Sequence, residues 1–136
     1  MNTMLDYKLN PEIVVSEADH RQLLVLAMAG VGHSADAADD LLYEMERARI
    51  VADTALPEDV VRMGSTATIR SDNGADRTVT LVYPVDADIS EGRISVLTPI
   101  GTALIGLSRG QSITFQSRDG RNHVLTVLSV TAPAAP

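Results

Sequence analysis

The sequence TATIR (residues 66–70), followed by TVTL (residues 78–81), determines the fold class that we predict for this chain. In both runs apolar and polar side chains alternate, which is typical of a strand with one buried face. The residues between them include Asp72-Asn73-Gly74, which are turn-forming types. The two runs therefore predict neighbouring strands of an antiparallel sheet.

Three further runs extend this pattern towards the C-terminus: ISV (94–96), ITF (113–115) and the longer VLTVLSV (124–130). Turn signals at Glu91-Gly92, Arg109-Gly110 and Asp119-Gly120 separate them. The segment PIGTALIG (99–106) predicts a short helix, because Pro suits a first helical position and Gly a helix exit. Residues 57–131 are thus predicted to form a twisted antiparallel sheet with one short helix. The Ala/Pro-rich residues 132–136 are predicted to fray.

In residues 1–56 the apolar side chains recur at helical spacing instead. Ser16 and Asp19 have the spacing of a capping box before an apolar run, and Gly30 and Gly32 follow that run. A second helix is predicted to begin near Ser34 or Asp36 and to end before Pro57. Its apolar face is formed by residues at spacings of 4, 3 and 4, namely Leu41, Met45, Ala48 and Ala52. At about 18 residues it would be near 27 Å long. The chain is thus predicted to be α+β, with a short N-terminal antiparallel helical hairpin before the sheet.

Composition narrows the possible functions. Net charge is −7, with one Lys and ten Arg against eighteen carboxylates, which disfavours direct binding to nucleic acid. One Phe, three Tyr and no Trp argue against an aromatic-walled pocket. There is no Cys, and the longest apolar run, Leu23–Ala29, is too short to span a bilayer. We expect a cytoplasmic protein that binds no membrane.

Two segments carry a resemblance to a known family. Residues 61–69 (VRMGSTATI) and 92–106 (GRISVLTPIGTALIG) together resemble the C-terminal domain of the GreA/GreB transcription elongation factors. The resemblance spans about residues 57–131. The short helical region, the junction LPEDVV (56–61) and LVYP (81–84) are more similar to the regulators of nucleoside diphosphate kinase (Rnk), a shortened branch of this superfamily.

The resemblance implies an FKBP-like C-terminal domain and docking at the rim of the RNA polymerase secondary channel. It implies contact with DNA only through the polymerase. In the long members, an acidic hairpin tip helps to hold a metal ion for transcript cleavage. By resemblance, the segment beginning at Pro99 faces the polymerase; Ile100 and Leu104, four residues apart on one helix face, predict either a partner contact or a core contact.

The corresponding tip here comprises His33, Asp36, Asp39 and Asp40. Asp36 and Asp40 are four apart and could share a divalent ion. The simpler interpretation is that carboxylates in a first helical turn stabilise its free N–H groups. Because the predicted hairpin is short, we expect a regulator that occupies the channel entrance and competes with longer-armed factors. Regulation of nucleoside diphosphate kinase is an alternative, and stimulation of transcript cleavage through Asp36 and Asp40 is a weaker one.

No enzymatic site is predicted. His20, His33 and His123 are scattered, and no nucleophile, base and carboxylate can be assembled from the sequence. The segment Gly101–Gly106 lacks the Lys-Ser/Thr pair of a phosphate-binding loop. Prolyl isomerisation is disfavoured by the scarcity of aromatic residues, and no cofactor or metal is expected.

Overall fold

The computed structural model describes residues 9–29 and 35–133. The predicted turn residues Gly30, Gly32, His33 and Ser34 lie outside these ranges, as do residues 134–136 of the predicted tail. The elements in chain order are β1 (Val14–Ser16), α1 (Glu17–Ala29), α2 (Ala35–Arg47), β2 (Arg49–Val51), β3 (Thr66–Ser71), β4 (Asp76–Val82), β5 (Arg93–Ser95), α3 (Pro99–Leu104), β6 (Ser112–Gln116) and β7 (Asn122–Thr131). The α+β class is confirmed.

The main sheet has five strands in the order β5-β4-β3-β7-β6. The alternation of apolar and polar residues correctly predicted which face of β3 and of β4 is buried. The apolar residues on this face are all buried, namely Ala67, Ile69, Val79 and Leu81. On the other face, hydroxyls pair across the two strands, with Thr66 and Thr80 Oγ1 atoms 2.8 Å apart. The predicted strand at residues 124–130 is β7, which lies between β3 and β6.

The expectation of a wholly antiparallel sheet is wrong at one edge, where β5 runs parallel to β4. After β4 the chain crosses back along the edge, so that Arg93 lies beside Thr80. A short antiparallel bridge between Asp88 and Arg93 closes this connection. Local alternation cannot distinguish the two directions, because it reports only which face of a strand is buried.

The second helix is shorter than predicted. It ends at Arg47 after 13 residues, or about 20 Å at ~1.5 Å per residue, instead of continuing towards Pro57. Ala48 and Ala52 therefore lie outside α2. Residues Arg49–Val51 form β2, which pairs in parallel with β1. The Arg49 N–H donates to Ile13 O at 2.9 Å, so pairing with a distant segment ends the helix.

Helices α1 and α2 pack against each other, and α2 also contacts α3; their buried side chains belong to the same apolar core as those of the main sheet. The start of α1 meets the end of α2, where His20 Nε2 lies 3.2 Å from Met45 O. Leu23 from α1 and Leu41 from α2 belong to the same buried cluster as Leu104 from α3, and all three are inaccessible to solvent. The predicted cap of α1 is confirmed, because Asp19 N–H donates to Ser16 Oγ at 3.1 Å. In the described ranges, no helix combines the length and apolarity needed to cross a membrane.

Candidate functional site

The start of α3 is the predicted partner-binding segment. Thr98 caps this helix, because its Oγ1 accepts from Gly101 N–H at 3.0 Å, and Pro99 occupies the first helical position. Pro99 and Ile100 are partly exposed, and Ile100 also packs on the core. Leu104 is 0% exposed, so the structure corrects its inclusion as a partner contact. Its side chain is needed for the packing of α3 on the core.

An open cleft of about 350 Å³ is lined by residues of α2, α3 and β6. It continues into a wider cleft of about 600 Å³ towards the β6–β7 turn, since residues such as Asp40, Pro99 and Gln116 line both. Apolar surface comes from α3 and β6, whereas α2 contributes polar groups. The structure thus brings Pro99 and the N-terminal end of α2 together, although they are distant in sequence.

The acidic residues of the predicted hairpin tip line this cleft. Asp36, Asp39 and Asp40 all border its wider part, opposite Arg118 from the β6–β7 turn. Partial burial, followed by the neighbouring Asp36 and Asp39 carboxylates, raises the pKa of Asp40, while Arg118 opposes this shift. Across residues 9–29 and 35–133, no three His, Asp or Glu side chains are arranged to hold a metal ion. His33 lies outside the described residues.

A Ser, His and Asp constellation that the sequence did not reveal lies beside the cleft. Ser117 Oγ is 3.0 Å from His123 Nε2, and Asp72 Oδ2 is 3.5 Å from His123 Nδ1. The Ser117 hydroxyl, however, also has two acceptors for its single proton, Asp119 Oδ1 and Arg121 O. A serine hydrogen-bonded in this way is not activated by its histidine. The contacts instead tie the β3–β4 and β6–β7 turns together.

A second group of residues fixes α1 to the segments that precede β3 and follow β4. Asp19 is 9% exposed, and its carboxylate accepts from Met63 N–H at 3.1 Å. Nearby, Tyr83 donates to Gln22 Oε1 at 2.7 Å. Burial raises the pKa of Asp19 despite the Met63 hydrogen bond and the Arg62 charge, and burial together with Asp19 raises the pKa of Tyr83 to about 12.

The raised Asp19 pKa predicts how an Asn variant changes acid stability. The folded chain holds the proton on the Asp19 carboxyl more tightly than the unfolded chain does. Asp19 therefore stabilises the fold fully below its ordinary pKa of 3.8, and this contribution is lost as pH rises through the pKa of the folded state. We expect Asp19→Asn to gain stability relative to wild type as pH rises through this window. Its amide oxygen still accepts from Met63 N–H. Urea unfolding at several pH values measures the difference, and a flat difference contradicts the prediction.

Comparisons with known proteins agree with this architecture. The family model described as transcription elongation factor, GreA/GreB, C-terminal, matches residues 56–132. A solved prokaryotic transcription elongation factor GreA/GreB from Nitrosomonas europaea is 35% identical, with a TM-score of 0.69 covering 90% of this chain and 99% of that one. The chain belongs to the GreA/GreB transcription elongation factor family, as its sequence predicted.

Two curated relatives are similar over different lengths. The regulator of nucleoside diphosphate kinase from Escherichia coli K12 is 33% identical over 121 residues, which is 88% of this chain and 89% of the relative. The elongation factor GreA from Chloroflexus aggregans is 35% identical over 92 residues, covering 67% of this chain and 58% of that factor. The first similarity therefore includes the helices as well as the sheet.

Proposed function

We propose that this protein regulates transcription by binding RNA polymerase at the entrance of the secondary channel, where it competes with longer-armed factors without delivering cleavage chemistry. The observation that carries the proposal is the start of α3. Pro99 and Ile100 are partly exposed beside an open cleft, within the segment matched by the GreA/GreB family model. We also propose that the sheet domain is FKBP-like, that α1 and α2 form a helical hairpin, and that the protein is cytoplasmic.

The arrangement of the acidic residues supports a role without catalysis. Asp36, Asp39 and Asp40 line a cleft shared with Pro99 of the same chain. Helix α2 is only about 20 Å long, so a hairpin of this length keeps these carboxylates close to the proposed docking segment at Pro99. A group that assists phosphoryl chemistry must reach the reacting atoms. The net charge of −7 further supports contact with DNA only through the polymerase.

Substitution of Pro99 tests the docking proposal. We expect Pro99→Lys to weaken binding to core RNA polymerase at least about tenfold, since it alters a partly exposed residue at the centre of the proposed contact. Pro57→Lys is the matched control, because Pro57 is exposed in another part of the chain. Biolayer interferometry measures both affinities. Absence of wild-type binding at micromolar concentration would refute the proposal.

The same proteins can be added to stalled elongation complexes. Wild type should inhibit cleavage stimulated by a long-armed GreA and cause none by itself, whereas Pro99→Lys should inhibit poorly. If the weaker hypothesis of cleavage stimulation is correct, wild type alone will cleave, and changing Asp36 and Asp40 to Asn will abolish that activity while preserving binding.

The relative from Escherichia coli supports a second candidate, regulation of nucleoside diphosphate kinase, because the similarity covers 88% of this chain. Assaying the purified kinase with and without this protein tests it. A change in rate at stoichiometric protein supports a direct effect, and an unchanged rate contradicts one.

A further inference from the structure

Val85 is the large apolar side chain most exposed in the described chain, with 89% of its surface accessible. It lies in the 3₁₀ turn Pro84–Asp86, just after β4. Isolated apolar residues are common on protein surfaces, so exposure alone does not define a contact. Its position relative to α3 is what distinguishes Val85.

The turn carrying Val85 and the start of α3 leave the sheet at the same end. Val96 N–H donates to Val82 O at 2.9 Å, which joins the two chain segments at this point. Val85 lies three residues after Val82, and Pro99 lies three residues after Val96. Three residues extend at most about 10 Å, so neither side chain can be far from the shared end.

The turn that carries Val85 is also held in place by Tyr83, the residue that precedes it. Asp86 N–H donates to Tyr83 O at 2.9 Å, and the Tyr83 ring packs against the core. The Tyr83 hydroxyl is held by Gln22 on α1. Val85 is therefore presented to solvent from an anchored turn, so less conformational entropy is lost when a partner covers it.

Ile89 provides an internal comparison because it is also apolar and is 79% exposed. It follows Asp88, whose N–H donates to Arg93 O at 2.8 Å, and Arg93 is the first residue of β5. Ile89 thus lies at the opposite end of β5 from Val96. The two side chains have similar chemistry and exposure, but only Val85 lies at the end where α3 starts.

Charge in this connection indicates the chemistry of a partner. Residues 84–91 contain three carboxylates, Asp86, Asp88 and Glu91, and no basic residue. Asp88 is occupied by hydrogen bonds from Ser90 and by Arg93 at 3.7 Å. Asp86, next to Val85, is exposed. A complementary surface would therefore place Lys or Arg beside an apolar depression.

We propose that Val85 is an apolar anchor that extends the docking surface of Pro99 and Ile100 across the end of β4, and that it enters an apolar pocket bordered by basic side chains on the partner. The inference rests on the proposed function, because it assigns this pocket to the polymerase. It identifies the second contact and the partner chemistry that recognises it.

Affinity measurements on three variants test the proposal. Val85→Ser should weaken binding to core RNA polymerase about tenfold at both low and high salt, because it removes an apolar contact. Asp86→Asn should weaken binding several-fold at low salt only, since screening removes its charge contact at high salt. Ile89→Ser should bind like wild type. All three should retain the wild-type melting temperature, because the altered side chains are exposed.

The outcomes separate this proposal from the one on which it rests. If wild type binds and Val85→Ser binds equally well, or if Ile89→Ser is weakened as much, the Val85 anchor is wrong while polymerase docking stands. An unchanged affinity for Asp86→Asn at low salt contradicts the basic border. If wild type does not bind, docking itself fails and the Val85 assignment fails with it.

Discussion

Replacing Gly101 by Ala is expected to destabilise the protein by about 3 kcal/mol, the upper end of the usual cost of overpacking. A Cβ atom at this position would lie 2.0 Å from Ser95 O and 2.8 Å from Ser95 C. Both are backbone atoms at the end of β5, so they cannot move aside as a flexible side chain can. Either α3 or the edge of the sheet must shift. Urea unfolding followed by circular dichroism measures the loss.

Gly74→Ala is the control for this prediction. Gly74 has a φ of +83°, and an added Cβ would meet nothing within 4 Å. Its expected cost is only the strain of a left-handed backbone, about 1–2 kcal/mol. If the two variants were equally stable, close packing between α3 and Ser95 would not be the reason for Gly101. Because Gly101 lies next to Ile100, its variant should also bind RNA polymerase more weakly under the proposed function.

The second large effect is expected from Leu41→Ala in α2. Leu41 is inaccessible to solvent and belongs to the same buried cluster as Leu104 and Val127. Removing a buried leucine side chain costs about 3 kcal/mol, comprising lost apolar contacts and a residual cavity. Because helices and sheet share this cluster, the main sheet should lose stability together with the helices. Hydrogen exchange of the β7 amides, alongside thermal unfolding, measures this shared loss.

Val25→Ala is the matched truncation on α1, where the side chain is 65% exposed. It should change stability by less than about 0.5 kcal/mol. If Leu41→Ala accelerated exchange in the helices alone and left β7 protected, the helices would unfold independently of the sheet. Such a result would contradict the coupling expected from the shared core.

Several elements could be predicted from the sequence because each depends on interactions between residues that are close in the chain. In β3 and β4, alternation gave the buried face of each strand, and all four predicted apolar positions are buried. Ser16 and Asp19 placed the start of α1, since a capping hydrogen bond spans only three residues. Pro99 marked the start of α3 for a similar reason, because its ring restricts the backbone at its own position.

The composition of the candidate site was only partly visible. The sequence indicated both Pro99 and the carboxylates near Asp40, but not that they line one cleft. Ile100 and Leu104 lie four residues apart on one helix face, so the sequence could not distinguish their environments. Only the packing around them did, because Ile100 is partly exposed whereas Leu104 is fully buried. Val85 gave no periodic signal, because its environment depends on where β4 and β5 end.

The amino-acid sequence by itself determined the α+β class, the faces of the strands and the helix starts, since these depend on neighbours a few residues away. Tertiary structure alone decided where α2 ends, that Arg49–Val51 forms a strand, and that β5 runs parallel to β4. The physical reason is that a strand gains its hydrogen bonds from a partner distant in sequence, so the same apolar residues suit a helix or a strand until that partner is in place.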